Sequence, residues 1–136
     1  EVYQALQTAV VDGTENPPSN MFTQKMHEVQ KHATISNHGY LGYAVIVNKK
    51  FWDELPADVR TGLDKAMTEA TDYANSIAKE ENDKALEAMK AAGKTEFHEL
   101  SAEERDAWVK VLAPVHDQMA ERIGAETIAA VKAATQ

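Results

Sequence analysis

The sequence predicts a mostly helical chain with a few short strands and one unusually long helix. Apolar residues recur at spacings of three and four from Val59 to Met89, which is the period of one helix face. Pro56 suits a first helical position and Gly93 suits a helix end, so we expect this helix over about 56–92. We interpret its apolar stripe as core, with a face for a partner helix as the alternative. Short runs of β-branched residues elsewhere predict the strands.

The segment before the long helix combines helix patterns with breakers. A helix over 2–10 gives way to turn and proline signals that continue through residue 18. Ser19 or Asn20 can cap a helix over about 20–30. The elements expected next are a strand at 34–36, a buried strand at 42–47, a short helix at 49–54 and, after the long helix, a strand within 94–100.

The C-terminal part of the sequence predicts two helices. Ser101 and Glu104 have the spacing of a capping box, which marks a helix start. We expect that helix to kink or break near Pro114 and to end at Gly124. A last helix is expected over about 125–134, with Ile128 and Val131 turned inward.

The composition narrows the classes of function. The chain has 136 residues, enough for one domain or a piece of one, and its 43% hydrophobic and 26% charged content is that of a globular protein. A net charge of −8 repels phosphate backbones, so we expect no nucleic-acid partner. The absence of cysteine excludes disulfides and thiol chemistry. Because the chain begins at Glu1 inside a predicted helix, we expect it to be processed, truncated or fragmentary.

No residue pattern in the sequence indicates catalysis or a bound metal. The five histidines are scattered, and the spacing of five between His27 and His32 does not place them on one helix face. Carboxylates on the long helix alternate with lysines, which is typical of a solvated face. The sequence lacks a nucleophile elbow, a phosphate loop and a dinucleotide fingerprint. We therefore expect no enzyme, no cofactor and no metal site.

Two polar segments are the best candidates for a binding site. Glu15-Asn16-Pro17 and Asn37-His38-Gly39-Tyr40 lie beside apolar elements, and their side chains can donate and accept hydrogen bonds. A pocket for a small polar ligand needs a few such groups on a rigid scaffold. From the pattern alone, the simpler interpretation of Asn16 is a turn former.

A specific motif in the first quarter of the chain resembles one protein family. Residues 7–17, Gln-Thr-Ala-Val-Val-Asp-Gly-Thr-Glu-Asn-Pro, resemble the Gln-Thr-x-x-Val-Asp-Gly-x-Glu-Asn-Pro segment of TRAP (tripartite ATP-independent periplasmic) transporter solute-binding proteins, the DctP family. Further matches follow in the family's order and spacing, namely Gln24-Lys25, Ser36-Asn37-His38, Val47-Asn48 and Leu55-Pro56. The resemblance covers essentially the whole chain, but only the C-terminal two-fifths or so of a family member.

The resemblance implies an α/β, two-lobed periplasmic-binding-protein fold that closes around its ligand. That ligand is usually an organic acid, and the liganded receptor delivers it to membrane permease subunits from the periplasm. The whole chain, 1–136, would form the C-terminal portion: second-lobe elements, a long lobe-spanning helix and C-terminal helices, with the N-terminal lobe absent. By the same resemblance Asn16 faces the ligand and His38 reaches the cleft in some members. Tyr40 is added because it lies close to His38.

The resemblance also places the family's carboxylate-clamping arginine upstream of Glu1. A guanidinium binds a carboxylate through two parallel hydrogen bonds, which an asparagine cannot replace. The arginines of this chain, Arg60, Arg105 and Arg122, fall in predicted helices outside the motif. We therefore expect this chain alone to bind acids weakly or not at all.

Two functions from different classes stay open. The first is a transport receptor that binds a small organic acid. The second is a truncated, mostly helical domain that self-associates and has lost ligand binding. Strand edges and apolar patches exposed by a truncation favour pairing with another chain, so we also expect a homo-oligomer.

Overall fold

The computed structural model describes residues 1–134 and is mostly helical, as predicted. In chain order its elements are α1 (Val2–Gln7), α2 (Pro18–Thr23), a 3-10 turn (Met26–Glu28), β1 (His32–Ile35), α3 (Lys49–Glu54), α4 (Ala57–Ala92), β2 (Glu96–Glu99), α5 (Ala102–Ile123) and α6 (Ala125–Ala134). The chain divides into two compact units. The first holds Glu1–Ala33 with Asn37–Phe97, and the second holds Thr34–Ser36 with the chain from His98 onward.

Helix α4 confirms the predicted long helix. Asp58 lies in its first turn and Lys90 in its last turn, where each charge complements the helix dipole. Gly93 ends the helix in the left-handed conformation with φ 63°, which a residue without Cβ adopts at little cost. Pro56 differs from the prediction by one position. It is the N-cap, with extended ψ of 146°, rather than the first helical residue.

The apolar stripe of α4 is buried only near its C-terminal end, which corrects the prediction of a core face. Val59, Leu63 and Met67 remain 42%, 44% and 39% exposed, whereas Ala85 and Met89 are 5% and 1% exposed. The reason is the position of α2, which packs against α4 and contacts its C-terminal half. Within residues 1–134 the N-terminal half of α4 has no comparable cover.

The segment before β1 is more broken than its sequence predicts. Helix α1 ends at Gln7, and Ala9 then adopts a positive φ of 56°. The helix expected over 20–30 is instead α2 followed by the 3-10 turn. Lys25 separates the two in the left-handed conformation, through which a right-handed helix cannot continue. Pro17, not Ser19 or Asn20, is the N-cap of α2.

Strand β1 pairs with β2 in a two-stranded sheet, so both short strands are confirmed. The backbone N–H of Glu96, the first residue of β2, donates at 2.8 Å to the carbonyl oxygen of Lys31, which directly precedes β1. The predicted buried strand at 42–47 is wrong for this chain, because the segment has no regular structure and is exposed. A strand needs a partner for its backbone N–H and C=O groups, and residues 1–134 supply none for this segment.

The buried core of the first unit is small and joins distant parts of the chain. Its apolar members are Leu6, Met26, Ala85 and Met89. The buried Thr95 hydroxyl lies 2.6 Å from the carbonyl oxygen of His27 and 2.9 Å from that of Gln30. This contact fixes the end of the 3-10 turn against the segment that follows α4.

The second unit consists chiefly of α5 and α6, which contact each other. The predicted capping box is confirmed, because Ser101 and Glu104 each accept the other's backbone N–H. Pro114 lies inside α5 without the break that was expected, and the helix continues to its predicted end at Gly124. On α6, Val131 is exposed rather than turned inward. None of the described side chains of this ten-residue helix is fully buried.

Candidate ligand-binding site

Residues 13–17, here called the binding loop, connect the turn after α1 to α2. The loop has no regular structure and passes into the helix through two consecutive prolines. Pro17 is extended at φ −60° and ψ 151°, and Pro18 is the first residue of α2. Proline fixes its own φ and also restricts the residue before it. Asn16 is therefore attached to α2 by a stiff stretch of backbone.

The amide of Asn16 is half-buried and points toward the protein. Its Nδ2 lies 3.1 Å from the hydroxyl oxygen of Thr14 and 3.7 Å from the sulfur of Met26. Nδ2 carries two N–H groups, and the thioether is a weak acceptor. The hydrogen bond from Nδ2 to the weak thioether acceptor can therefore be exchanged at little cost for a hydrogen bond to a ligand oxygen. The Thr14 and Met26 contacts hold the amide in a defined orientation beforehand.

His38 lies next to the binding loop. Its Nε2 is 3.9 Å from Oε1 of Glu15, although both side chains are largely exposed. The structure thus brings two of the predicted site segments together, one before α2 and one after β1. Imidazole and amide groups in this arrangement supply hydrogen-bond donors to an acceptor-only ligand such as a carboxylate.

Tyr40 is not part of this cluster in the described residues. Its side chain is 96% exposed, and its ring lies over its own segment. A Cβ built at Gly42 would be 3.4 Å from Cε1 of Tyr40. A ligand role for Tyr40 therefore stays a prediction.

Three residues around the binding loop and α2 were not singled out as site residues from the sequence. Thr14 belongs to the motif but carries no sign that its hydroxyl meets the amide of Asn16. Met26 is 2% exposed, and its contact with the loop depends on tertiary structure. Asn82 of α4 accepts the backbone N–H of Ser19 at 3.1 Å. In the sequence Asn82 stands between Glu81 and Asp83, and nothing in that pattern predicts its contact with Ser19.

The cationic groups of the chain lie on helices rather than on the binding loop. Arg60 is in the first turn of α4, Arg105 is in the first turn of α5, and Arg122 is in its last turn. Lys84 is held by acidic neighbours on its own helix. Hydrogen bonds to Glu80 and then to Glu81 raise the pKa of its ammonium.

Within residues 1–134, no group of three or more His, Asp or Glu side chains is placed to hold a metal ion. Among the helices of that stretch, none is both long enough and apolar enough to span a bilayer.

Comparison with known proteins settles the family. Residues 1–123 match the family model of the bacterial extracellular solute-binding proteins, family 7, also called DctP. The chain belongs to this family. The predicted membership of the DctP-type solute-binding proteins of TRAP transporters is thereby confirmed. Family 7 is a class of solute-binding proteins and not a class of enzymes.

Several curated relatives of this DctP-family chain are named for C4-dicarboxylate binding. The C4-dicarboxylate-binding periplasmic protein DctP of Rhodobacter capsulatus is 86% identical over 135 residues, covering 99% of this chain and 40% of the relative. The C4-dicarboxylate-binding protein DctB of Bacillus subtilis is 40% identical over 126 residues, covering 93% of this chain and 36% of the relative. The chain thus spans about two-fifths of the length of these relatives.

Solved structures confirm the predicted fold class. A periplasmic TRAP solute-binding protein of Shewanella oneidensis, solved with bound succinate, superposes with a TM-score of 0.96 at 38% identity. The match covers 100% of this chain and 45% of that one. A Pseudomonas aeruginosa counterpart with bound L-malate gives a TM-score of 0.81 at 39% identity, with 87% and 41% covered. The chain is therefore part of a periplasmic-binding-protein fold.

Proposed function

We propose that the protein acts as the extracytoplasmic receptor of a TRAP transporter and binds a C4-dicarboxylate. The observation that carries this proposal is the 86% identity, over almost the whole chain, to a C4-dicarboxylate-binding periplasmic protein. Related structures solved with succinate and with L-malate support the same class of ligand. Periplasmic location and delivery to the membrane permease subunits are parts of the same proposal, and they rest on the family.

The chain supplies the C-terminal portion of the binding fold in this proposal, and α4 runs along both lobes. The coverage of two-fifths of each relative supports this division. The exposed apolar residues on the N-terminal half of α4 also support it, because exposed apolar stripes mark surfaces that pack against something else. The rest of the family's length would then contribute the opposite wall of the cleft and the carboxylate clamp.

The chemistry of the binding loop fits an acidic ligand. A dicarboxylate at neutral pH only accepts hydrogen bonds, so its site must present donors. Asn16 offers an amide N–H, and His38, which lies 3.9 Å from the adjacent residue Glu15, offers an imidazole N–H. Ligand binding would then favour a closed arrangement of the two lobes over the open one.

A segment exchange tests this function in a protein that already folds. The 136-residue chain replaces the matching segment of the Rhodobacter capsulatus relative, and calorimetry measures binding of succinate and L-malate. Orotate and ectoine, which other structurally similar TRAP proteins bind, are the controls. We expect dicarboxylate affinities within about threefold of the unmodified relative, a change of under ~0.7 kcal/mol. A folded chimera that prefers orotate or ectoine, or that binds none of these compounds, contradicts the proposal.

The self-associating domain without ligand binding receives no support from the comparisons. A homo-oligomer is a separate matter that follows from exposed apolar surface, and it stays a prediction about the chain expressed alone. Direct binding by the isolated chain is expected to be weak, because half of the proposed cleft lies outside it.

A further inference from the structure

We propose that Asn82, on the long helix α4, is a positioning residue for the binding loop. It caps α2 from a distant part of the chain and so holds Asn16 where the ligand meets it. This inference rests on the proposed function, because it assigns Asn82 a part in ligand affinity. The inference also states that Asn82 anchors α2, and this can be measured without any ligand.

The N-terminus of α2 lacks a cap of its own. The first N–H groups of any helix have no partner within it, and a polar N-cap side chain normally accepts one of them. Here the N-cap is Pro17, whose side chain accepts nothing, and Pro18 has no N–H. Ser19 is the first residue of α2 with an N–H to satisfy. That N–H donates to Oδ1 of Asn82 at 3.1 Å.

Asn82 is oriented for this contact by its own helix. Its Nδ2 donates to the carbonyl oxygen of Ala78 at 2.9 Å, one turn earlier in α4. The two ends of the amide are therefore committed to two different helices, and the side chain has little freedom left. Ala85, on the adjoining part of α4, is 5% exposed. The bond between α2 and α4 thus lies at the edge of a packed interface, and Ser19 and Asn82 are both half-buried.

Fixing the position of Ser19 also restricts the position of Asn16. Only Pro17 and Pro18 separate the two residues, and both have a fixed φ. Asn16 is held on the other side by the contact of its Nδ2 with Met26. If the anchor is removed, the binding loop is free to sample positions in which the amide misses the ligand. Apparent affinity then falls in proportion to the fraction of molecules that keep the competent position.

The test uses the chimera described above with three variants of α4. Asn82→Ala removes the acceptor. Asn82→Asp keeps an acceptor oxygen in nearly the same shape. Asn75→Ala is the matched control, since it makes the same change on an exposed face of α4. Calorimetry gives the dissociation constant for succinate, and amide hydrogen exchange of the ligand-free protein reports the protection of the Ser19 N–H.

We expect Asn82→Ala to weaken succinate binding about fivefold, as the loss of one hydrogen bond that orders the site predicts. Protection of the Ser19 N–H should fall at the same time. Asn82→Asp should restore both quantities, and Asn75→Ala should change neither. Restoration by aspartate would show that the acceptor oxygen, and not the Nδ2 bond to Ala78, anchors α2, because the variant keeps the acceptor and loses that donor.

Two results overturn the inference. One is an Asn82→Ala protein that loses Ser19 protection but binds succinate within twofold of the parent. The other is unchanged protection of the Ser19 N–H, which would mean that Asn82 does not anchor α2. Should Asn82→Ala fail to fold, weak binding by the Asn82→Asp protein serves as the contrary result. If the parent chimera binds no dicarboxylate, the proposed function fails, and the exchange measurement still decides the anchoring.

Discussion

Nε2 of His38 lies 3.9 Å from Oε1 of Glu15, and this contact joins the segment after β1 to the loop before α2. Both side chains are exposed, so the pair contributes little to stability. Its importance is geometric. It places an imidazole beside the residue that precedes Asn16, and the two candidate ligand groups therefore share one small region of the first unit.

Replacing His38 tests whether that region contacts the ligand. We expect His38→Ala in the chimera to weaken succinate binding about tenfold, the effect of one hydrogen bond to a charged group. His116→Ala, on an exposed position of α5, is the control and should leave affinity unchanged. The measurement is calorimetry at pH 7. A dissociation constant within twofold of the parent would remove His38 from the site.

Replacing Asn16 tests the kind of group that the ligand meets. Asn16→Ala should weaken dicarboxylate binding about tenfold through loss of a donor. Asn16→Asp has the same shape but offers only acceptors, so it should weaken binding more, by repelling the ligand carboxylate. Near-normal affinity of the aspartate variant would show that the amide does not donate to the ligand.

Replacing Thr95 tests the small core of the first unit. Thr95→Val keeps the shape but leaves the carbonyl oxygens of His27 and Gln30 without their hydroxyl donor. We expect a loss of ~1–3 kcal/mol in the free energy of unfolding, measured with urea. Thr61→Val is the control, since that hydroxyl is exposed on α4 and bonds only to Ala57. An equal loss of unfolding free energy in the two variants would contradict the proposed contribution of the buried Thr95 contact to stability.

The start of α5 is expected to respond to acid. A hydrogen bond from the backbone of Ser101, and then the charge of His98, lower the pKa of Glu104 below its ordinary value of 4.5. A lowered pKa means that the folded state favours the carboxylate. The stabilisation is therefore complete above pH 4.5 and is lost as the pH falls through the lower folded value.

Amide exchange of the first turn of α5 measures this response between pH 6 and the acid limit of folding. The first turn should lose protection as the pH falls. Glu104→Gln should remove most of the pH dependence, whereas Glu103→Gln, in the same turn, should preserve it. A first turn that exchanges equally across this range would contradict the prediction.

The isolated chain is expected to self-associate through the apolar face of α4. Leu63 and Met67 are exposed on this face, and exposed apolar stripes favour pairing. Multi-angle light scattering should show a concentration-dependent rise in mass. The double change Leu63→Lys and Met67→Lys should reduce it, and Thr68→Lys on the same helix should not. A compact monomer at high concentration would refute the prediction.

Local signals in the sequence predicted the glycine ends of α4 and α5 and the capping box well. Gly93 and the Ser101–Glu104 pair act within a few residues of themselves, so their effects are visible in the sequence alone. Burial was harder to predict. The stripe at Val59 and Leu63 has the right period for a core face, but burial needs a second surface, which residues 1–134 do not supply.

The candidate site likewise combines residues that the sequence identifies with supporting residues that only the tertiary structure reveals. Asn16 and His38 were found through a resemblance that covers the motif around them. Of the groups that support Asn16, Thr14 lies within that motif. Met26 and Asn82 lie outside it, and the contact between Ser19 and Asn82 spans 63 positions along the chain. No pattern in a single sequence identifies such a partner, because a lone asparagine in a charged helix is ordinarily a solvated side chain.

Because α4 is buried only near its C-terminal end, a small rotation about that end displaces the N-terminal end by a large distance. Its packed end lies around Asn82–Met89, and Ala57 is ~38 Å away at 1.5 Å per residue. A tilt of one degree about the packed end therefore displaces the first turn by ~0.7 Å, while the contact with Ser19 scarcely moves. A spin label on the exposed Val59 would register such tilts with large amplitude, whereas the same label near Asn82 would remain almost still.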